Sequence, residues 1–199
     1  EYKEKILLSN QENPQSISIY IHIPFCPHQC SFCACTTIIA QKRPFIERYM
    51  AALIKEINTV ADLLDDNRLV TQIHWGGGTP NSIKFTYIKE VMDTLKARFT
   101  FAPNIEIAME CSPSYLKLAD VDKLADYGFN RVSLGVQDLK QEVLDIVNRL
   151  PPKVPISESF ARFREYGFKG INIDLTLVLL RIVTKIPTIK TNNDKMSLY

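Results

Sequence analysis

Between Ser16 and Ile23 the chain reads SISIYIHI, with isoleucine at every second position and serine, tyrosine or histidine between, the period of a strand that buries one face. Pro24 ends this run in a loop that holds most of the cysteines. From Pro44 to about Leu64 the period changes. Phe45, Tyr49, Ala52, Leu53, Ile57 and Val60 recur at helical spacing behind a proline suited to a first turn. A short β-type run, Thr71 to Trp75, stops at Gly76-Gly77-Gly78-Thr79-Pro80, and a helical stretch follows from about Lys84 to Arg98. A strand over Ile105 to Met109 and a helix over Tyr115 to about Tyr127, closed by Gly128, repeat the alternation. Next come a strand over Asn130 to Val136 and a helix near Gln141 to Asn148. Beyond the breaks at Pro151, Pro152 and Pro155, a helix over about Glu158 to Tyr166 ends at Gly167, and Ile171 to Leu179 reads as a last strand. Alternation this strict predicts an α/β fold, a parallel sheet with right-handed crossovers in an open or barrel-like form. The β/α body spans 16–181, preceded by an N-terminal extension at 1–15 and followed by an irregular tail at 182–199.

Composition adds limits. With 199 residues, 46% of them hydrophobic and 23% charged, the chain can bury one sizeable core, and disorder as the dominant state is excluded. Lys+Arg number 24 against 22 Asp+Glu, and these charges are scattered, so no nucleic acid and no membrane surface is expected as a partner. The longest apolar stretch, Leu175 to Leu180, falls far short of the ~20 residues of a membrane span. No charged-then-apolar signal segment opens the chain, and a cytoplasmic protein is expected. The first residue is Glu1 and not Met, which reads as a fragment or a processed product.

The cysteines carry the chemistry. Cys26, Cys30, Cys33 and Cys35 lie within ten residues, and Cys111 stands apart. Disulfides would close no loop of useful length here, so metal binding or redox chemistry is favoured. Structural zinc draws two separated pairs into a tetrahedron, whereas iron–sulfur clusters accept compact runs of thiolates. Three thiolates on a 4Fe-4S cube would leave one iron open to a substrate. Cys111, isolated at a strand end, reads as a core thiol. His22, His28 and His74 take no catalytic assignment, since a lone histidine beside a strand is more often structural.

The run Tyr20-Ile21-His22-Ile23-Pro24-Phe25-Cys26 into Cys30, Cys33 and Cys35 resembles radical S-adenosylmethionine enzymes, specifically the oxygen-independent coproporphyrinogen III oxidase (dehydrogenase) family. HWGGGTP at 74–80, Glu110 at a strand end, GFNRVSLGVQD at 128–138, VNR at 147–149 and NID at 172–174 extend the resemblance over most of the chain. It implies a partial (β/α) barrel, incomplete at its C-terminal end, with chemistry at the C-terminal ends of the strands. By the same resemblance Cys26, Cys30 and Cys33 ligate the 4Fe-4S cluster, and Cys35 does not. Tyr20, Gly77 and Glu110 contact the cluster-bound S-adenosylmethionine, and Phe32, Gly78, Thr79, Gln137, Arg149 and Asp174 contact a second molecule of it. Taken alone, Arg149 reads as a surface arginine, Asp174 as a capping carboxylate and the glycine run as a turn. The implied reaction begins with one-electron cleavage of S-adenosylmethionine. It continues with oxidative decarboxylation of two propionates of coproporphyrinogen III to vinyls, giving protoporphyrinogen IX in heme biosynthesis. A monomer served by an electron donor such as flavodoxin or ferredoxin is implied with it.

After Asp174 the family pattern gives way to Leu175-Thr176-Leu177-Val178-Leu179-Leu180-Arg181, and too few residues follow for a further β/α unit and a covering domain. The expectation is a truncated or frame-shifted chain, with an unpaired sheet edge that favours aggregation and without full activity. Two rivals share the cluster: a heme chaperone of the same superfamily, and a non-catalytic remnant that only binds it. Cys35, Gln137-Asp138 and Val147-Asn148-Arg149 favour the oxidase branch over the chaperone.

Overall fold

The computed structural model describes residues 1–12, 15–39, 42–65 and 67–176. Its main sheet holds β1 (Ser16–Ile23), β4 (Leu69–Gly77), β5 (Thr100–Cys111), β6 (Arg131–Gln137) and β7 (Gly170–Leu175), in that order and with every neighbouring pair parallel. Because the spatial order follows the chain without reversal, each right-handed crossover puts its helix on the same face. This is barrel winding, as expected, and not a doubly wound sheet with its switch point. The crossover helices are α2 (Arg43–Ala61), α3 (Phe85–Arg98), α4 (Leu118–Tyr127) and the pair α5 (Gln141–Ile146) and α6 (Ile156–Glu165). Along the sheet α2 touches α3, α3 touches α4, and α4 touches α6.

Strand alternation feeds this layer. Ile21, Ile23, Ile73, Trp75, Met109 and Leu134 are buried in one continuous core with Met50 of α2, Met92 of α3, Leu124 of α4 and Phe163 of α6. In α3 the buried residues are Ile88, Val91, Met92 and Leu95, the i, i+3, i+4, i+7 stripe of a helix with one apolar face. Gly128 takes φ 100° after α4, while its N–H and that of Phe129 bond back to Ala125 O and Leu124 O. That is the left-handed close that favours glycine.

Several boundaries differ from the sequence reading. β5 begins five residues early, at Thr100, because its first residues pair with Leu69 and Val70 before the register shifts around Pro103, which has no N–H for a ladder. α5 stops at Ile146, two residues early, since Asn148 adopts φ 54° and closes the helix as a glycine would. Besides short helical turns at Pro80–Ser82 and Pro113–Tyr115, two features of the described residues were not anticipated. One is α1 (Tyr2–Gln11), which buries no residue of its own. Arg68, which donates to Ser9 O and Ser9 Oγ, and Asn10, which donates to Leu63 O, fasten it to the body. The other is a small parallel ladder between β2 (Phe25–Cys26) and β3 (Ile38–Ile39), which closes the base of the cysteine loop. The expected continuation of the last strand to Leu179 and the tail at 182–199 lie outside the described residues. Among the described residues no helix is long and apolar enough to cross a membrane.

Candidate functional site

The cysteine loop leaves the C-terminal end of β1 and is pinned at both ends. Ile38 N–H bonds Pro24 O at 2.8 Å, and Cys33 N–H turns back onto Cys30 O at 3.1 Å. Its far side is fastened to the turn after α5. Ser31 N–H bonds Val147 O at 2.9 Å, Asn148 Nδ2 donates to Gln29 O at 2.8 Å, and Arg149 Nη1 lies 3.4 Å from Cys30 Sγ. Arg149 Nη2 meanwhile donates to Gly135 O at 2.6 Å, so one guanidinium ties the cysteine loop to β6. Cys26 donates to His28 O at 2.9 Å and lies 3.1 Å from Thr79 Oγ1. All five cysteines are free thiols, with Cys30 buried and Cys35 exposed.

The glycine run after β4 packs against the entry to this loop. Gly78 N–H bonds Ile23 O at 2.8 Å and Thr79 N–H bonds Phe25 O at 2.9 Å. A Cβ on Gly78 would stand 2.7 Å from Phe25 O, and one on Gly77, which has φ 114°, 2.8 Å from Ile23 O. Gly77 and Gly78 are therefore required by backbone meeting backbone, a more local reason than approach to a ligand. Gly76 differs, since its missing Cβ leaves room for Tyr20 Oη and the Glu110 carboxylate.

The remaining strand ends face the same space. Glu110, one residue before the end of β5, accepts from His74 Nε2 at 3.0 Å, and Tyr20 stacks on the His74 ring at 5.8 Å and 11°. Burial raises the Tyr20 phenol above its usual range, helped by the Glu110 charge. Gln137 ends β6 at φ 70°, an uncommon backbone state of the kind stored at binding sites. Asp174 of β7 accepts from Ser133 Oγ at 2.9 Å. One cleft of about 310 Å³ is lined by Cys26, Cys30, Cys33, Phe32, Gly77, Gly78, Thr79, Glu110, Gln137, Arg149 and Asp174. The structure thus brings together every site residue singled out from the sequence except Tyr20, which stands beside the cleft against His74 and Gly76.

His74, Ser133, Gly76 and Asn148 entered only as members of the motifs at 74–80, 128–138 and 147–149, with no site role of their own. The period-2 pattern could have found the first three, because they share strand parity with Glu110, Gly135 and Asp174. Cys35 also lines the cleft, its thiol raised by burial and by neighbouring Cys33. Cys111 reaches the same wall, but complete burial pushes its thiol far up, as suits the core residue expected from the sequence. A larger cleft of about 410 Å³ between α1, β1 and α2 is lined mainly by apolar residues such as Ile6, Ile19, Leu53 and Phe99 and contains no cysteine.

A cysteine loop after the first strand of an α/β barrel, facing polar strand ends, defines a cofactor-dependent redox class. Within that class the chain belongs to the radical SAM superfamily, whose family model matches residues 20–185 and whose members use a 4Fe-4S cluster and S-adenosylmethionine. It is 38% identical over 175 residues to the oxygen-independent coproporphyrinogen III oxidase of Synechocystis, covering 88% of this chain and 37% of that protein. The Escherichia coli protein of the same description is 40% identical over 159 residues, 80% of this chain and 35% of the relative. The solved structure of the E. coli coproporphyrinogen III oxidase superposes with a TM-score of 0.80 at 38% identity, covering 86% of this chain and 40% of that one. The chain thus spans little more than a third of the length of the curated relatives it matches.

The donor set fits the cluster. Among the described residues no three His, Cys, Asp or Glu side chains converge on a single ion. A cube meets each thiolate with a separate iron, so its ligands need to line one cleft and not to share a point. Cys26, Cys30 and Cys33 do so, and the guanidinium beside Cys30 suits a thiolate.

Proposed function

We propose that this chain carries the cofactor core of an oxygen-independent coproporphyrinogen III dehydrogenase. The observation that carries the reading is the single cleft in which the three cysteines meet Glu110, Gln137 and Asp174 from three other strand ends and Arg149 from the turn after α5. Cys26, Cys30 and Cys33 hold the cluster. Tyr20, Gly77 and Glu110 receive the methionyl end of the S-adenosylmethionine bound to it. Phe32, Gly78, Thr79, Gln137, Arg149 and Asp174 receive a second molecule.

When bound, the cluster and S-adenosylmethionine supply one-electron bond cleavage, and this drives oxidative decarboxylation of the propionates of coproporphyrinogen III. The chain's own residues bind and orient. Glu110 offers a carboxylate to a cationic amino group, and Arg149 sets a positive charge beside Cys30 while bracing its loop on β6. Tyr20 and His74 form a ring-lined wall next to that carboxylate. The reading includes coproporphyrinogen III as substrate, a flavodoxin or ferredoxin as electron donor, action as a monomer and a cytoplasmic location. The names of the relatives support the substrate, and the oxidase description they share favours it over the heme chaperone.

Anaerobic reconstitution with iron and sulfide, then assay of 5′-deoxyadenosine under dithionite, tests the reading. Nucleoside formation above a Cys30→Ala control, increased by coproporphyrinogen III, is the expected result. Cleavage indifferent to the porphyrinogen removes the substrate assignment, and a chain that takes up no cluster removes the whole proposal.

A further inference from the structure

We propose that His74 is a positioning residue for Glu110, holding its carboxylate in one orientation for the cationic amino group of S-adenosylmethionine. The inference rests on the cofactor reading above and gives a role to a histidine left without one. His74 lies in β4, in register with Tyr20 of β1 and Ala108 of β5. Glu110 is two residues beyond Ala108, on the same face of β5. His74 Nε2 lies 3.0 Å from Glu110 Oε1, and because a carboxylate only accepts, Nε2 carries the hydrogen. The imidazole is itself held, since the Tyr20 ring stacks on it 11° from parallel. Gly76 completes the arrangement, as a Cβ there would stand 2.9 Å from Tyr20 Oη and 3.0 Å from Glu110 Oε1.

The consequence is a carboxylate with a tether on one oxygen. Glu110 has a side chain 46% exposed, and a glutamate that accessible samples several rotamers which binding would have to freeze. The His74 hydrogen bond sets the rotamer before the ligand arrives. It also leaves acceptor capacity on a group that lines the cleft. His74 need not touch the ligand. Its effect passes through Glu110, and this separates it from a binding residue.

Equilibrium dialysis of labelled S-adenosylmethionine against the reconstituted, unreduced chain reads binding without turnover. Replacing His74→Leu is expected to weaken binding about tenfold, the worth of one charge-assisted hydrogen bond. His74→Gln, whose amide nitrogen can stand in for Nε2, restores most of it. In a Glu110→Gln background His74→Leu adds less than about twofold. The visible absorbance of the cluster reports that each variant is folded and loaded. If His74→Leu loses the cluster, His74→Gln against the shorter His74→Asn decides the same point: tighter binding by Gln supports the role and equal affinities overturn it. An unchanged affinity in His74→Leu, or an undiminished loss in the Glu110→Gln background, also overturns it. A wild-type chain that builds its cluster but binds no S-adenosylmethionine overturns the cofactor reading as well.

Discussion

The two faces of the five-stranded sheet are made from alternate residues of the same strands and follow opposite rules. On the helix-covered face Ile23, Ile73, Trp75, Met109 and Leu134 are completely or almost completely buried. On the other face the polar side chains between them stay accessible and bond across strands. His74 bonds Glu110, Ser133 bonds Asp174, Gln72 bonds Glu106 at 3.1 Å, and Arg131 lies 3.3 Å from Glu106. A closed barrel fills its interior with layers of branched apolar side chains. Here the inner face is a polar ladder, so one strand parity holds the fold together and the other is free to hold ligands. Parity therefore predicts whether a substitution harms stability or chemistry.

The sharpest break in that comparison comes from Trp75, fully buried between the sheet and its helices and packed edge-on against Phe129 at 6.1 Å. Trp75→Ala is expected to cost about 3–5 kcal/mol, a large part of the stability of an ordinary domain. A urea titration that shows a loss below about 1 kcal/mol would contradict the assignment of this face. Trp75→Phe should cost much less, because among the described residues the indole N–H has no hydrogen-bond partner to lose.

Next in size is Gly78→Ala. Its Cβ would meet Phe25 O at 2.7 Å and Pro24 O at 2.9 Å, backbone atoms that can move only with the cysteine loop. Iron bound after reconstitution is expected to fall toward that of Cys30→Ala, with stability lowered by about 1–3 kcal/mol. Full iron content in the alanine variant would show that the loop is not braced there.

Much of this was legible in the sequence because period and punctuation agreed. The isoleucines of SISIYIHI, the helical spacing from Phe45 to Val60 and the glycine after α4 each had a local physical reason, and each element stands in the structure. The missed pieces depend on distant partners. α1 has no apolar face to announce it and is fastened by Arg68, some sixty residues on. Asn148 belongs to the VNR motif, but nothing in its sequence neighbourhood announces the left-handed backbone that closes α5 or the side chain that reaches Gln29. The site residues were found through motif resemblance, and only the fold explains why Arg149 belongs with them: its two guanidinium arms span Cys30 and Gly135.

That double role makes Arg149→Lys the third test. Lysine keeps the charge but not the fork, and it cannot reach both Cys30 Sγ and Gly135 O as the guanidinium does. The cluster should still assemble, because the cysteines and Asn148 are untouched, but lose iron several-fold faster under chelator, in line with about 1 kcal/mol of lost support. Equal rates of loss would reduce Arg149 to a point charge.

The smallest effect is the most discriminating. Gly76 precedes Gly78 by two residues in one uninterrupted glycine run, yet the atoms nearest its added Cβ belong to side chains, Tyr20 Oη at 2.9 Å and the Glu110 carboxylate at 3.0 Å. Both side chains are half-exposed and can move by a few tenths of an ångström. Gly76 also has no left-handed backbone to protect, unlike Gly77. Gly76→Ala should therefore fold and load its cluster as the parent does, with stability changed by less than about 1 kcal/mol. Affinity for S-adenosylmethionine should still fall about three- to tenfold, because a displaced carboxylate meets the amino group poorly. If Gly76→Ala loses iron as Gly78→Ala does, the run is one structural brace and the division by face fails at its edge. If affinity does not move, Glu110 is not the group that receives the cation.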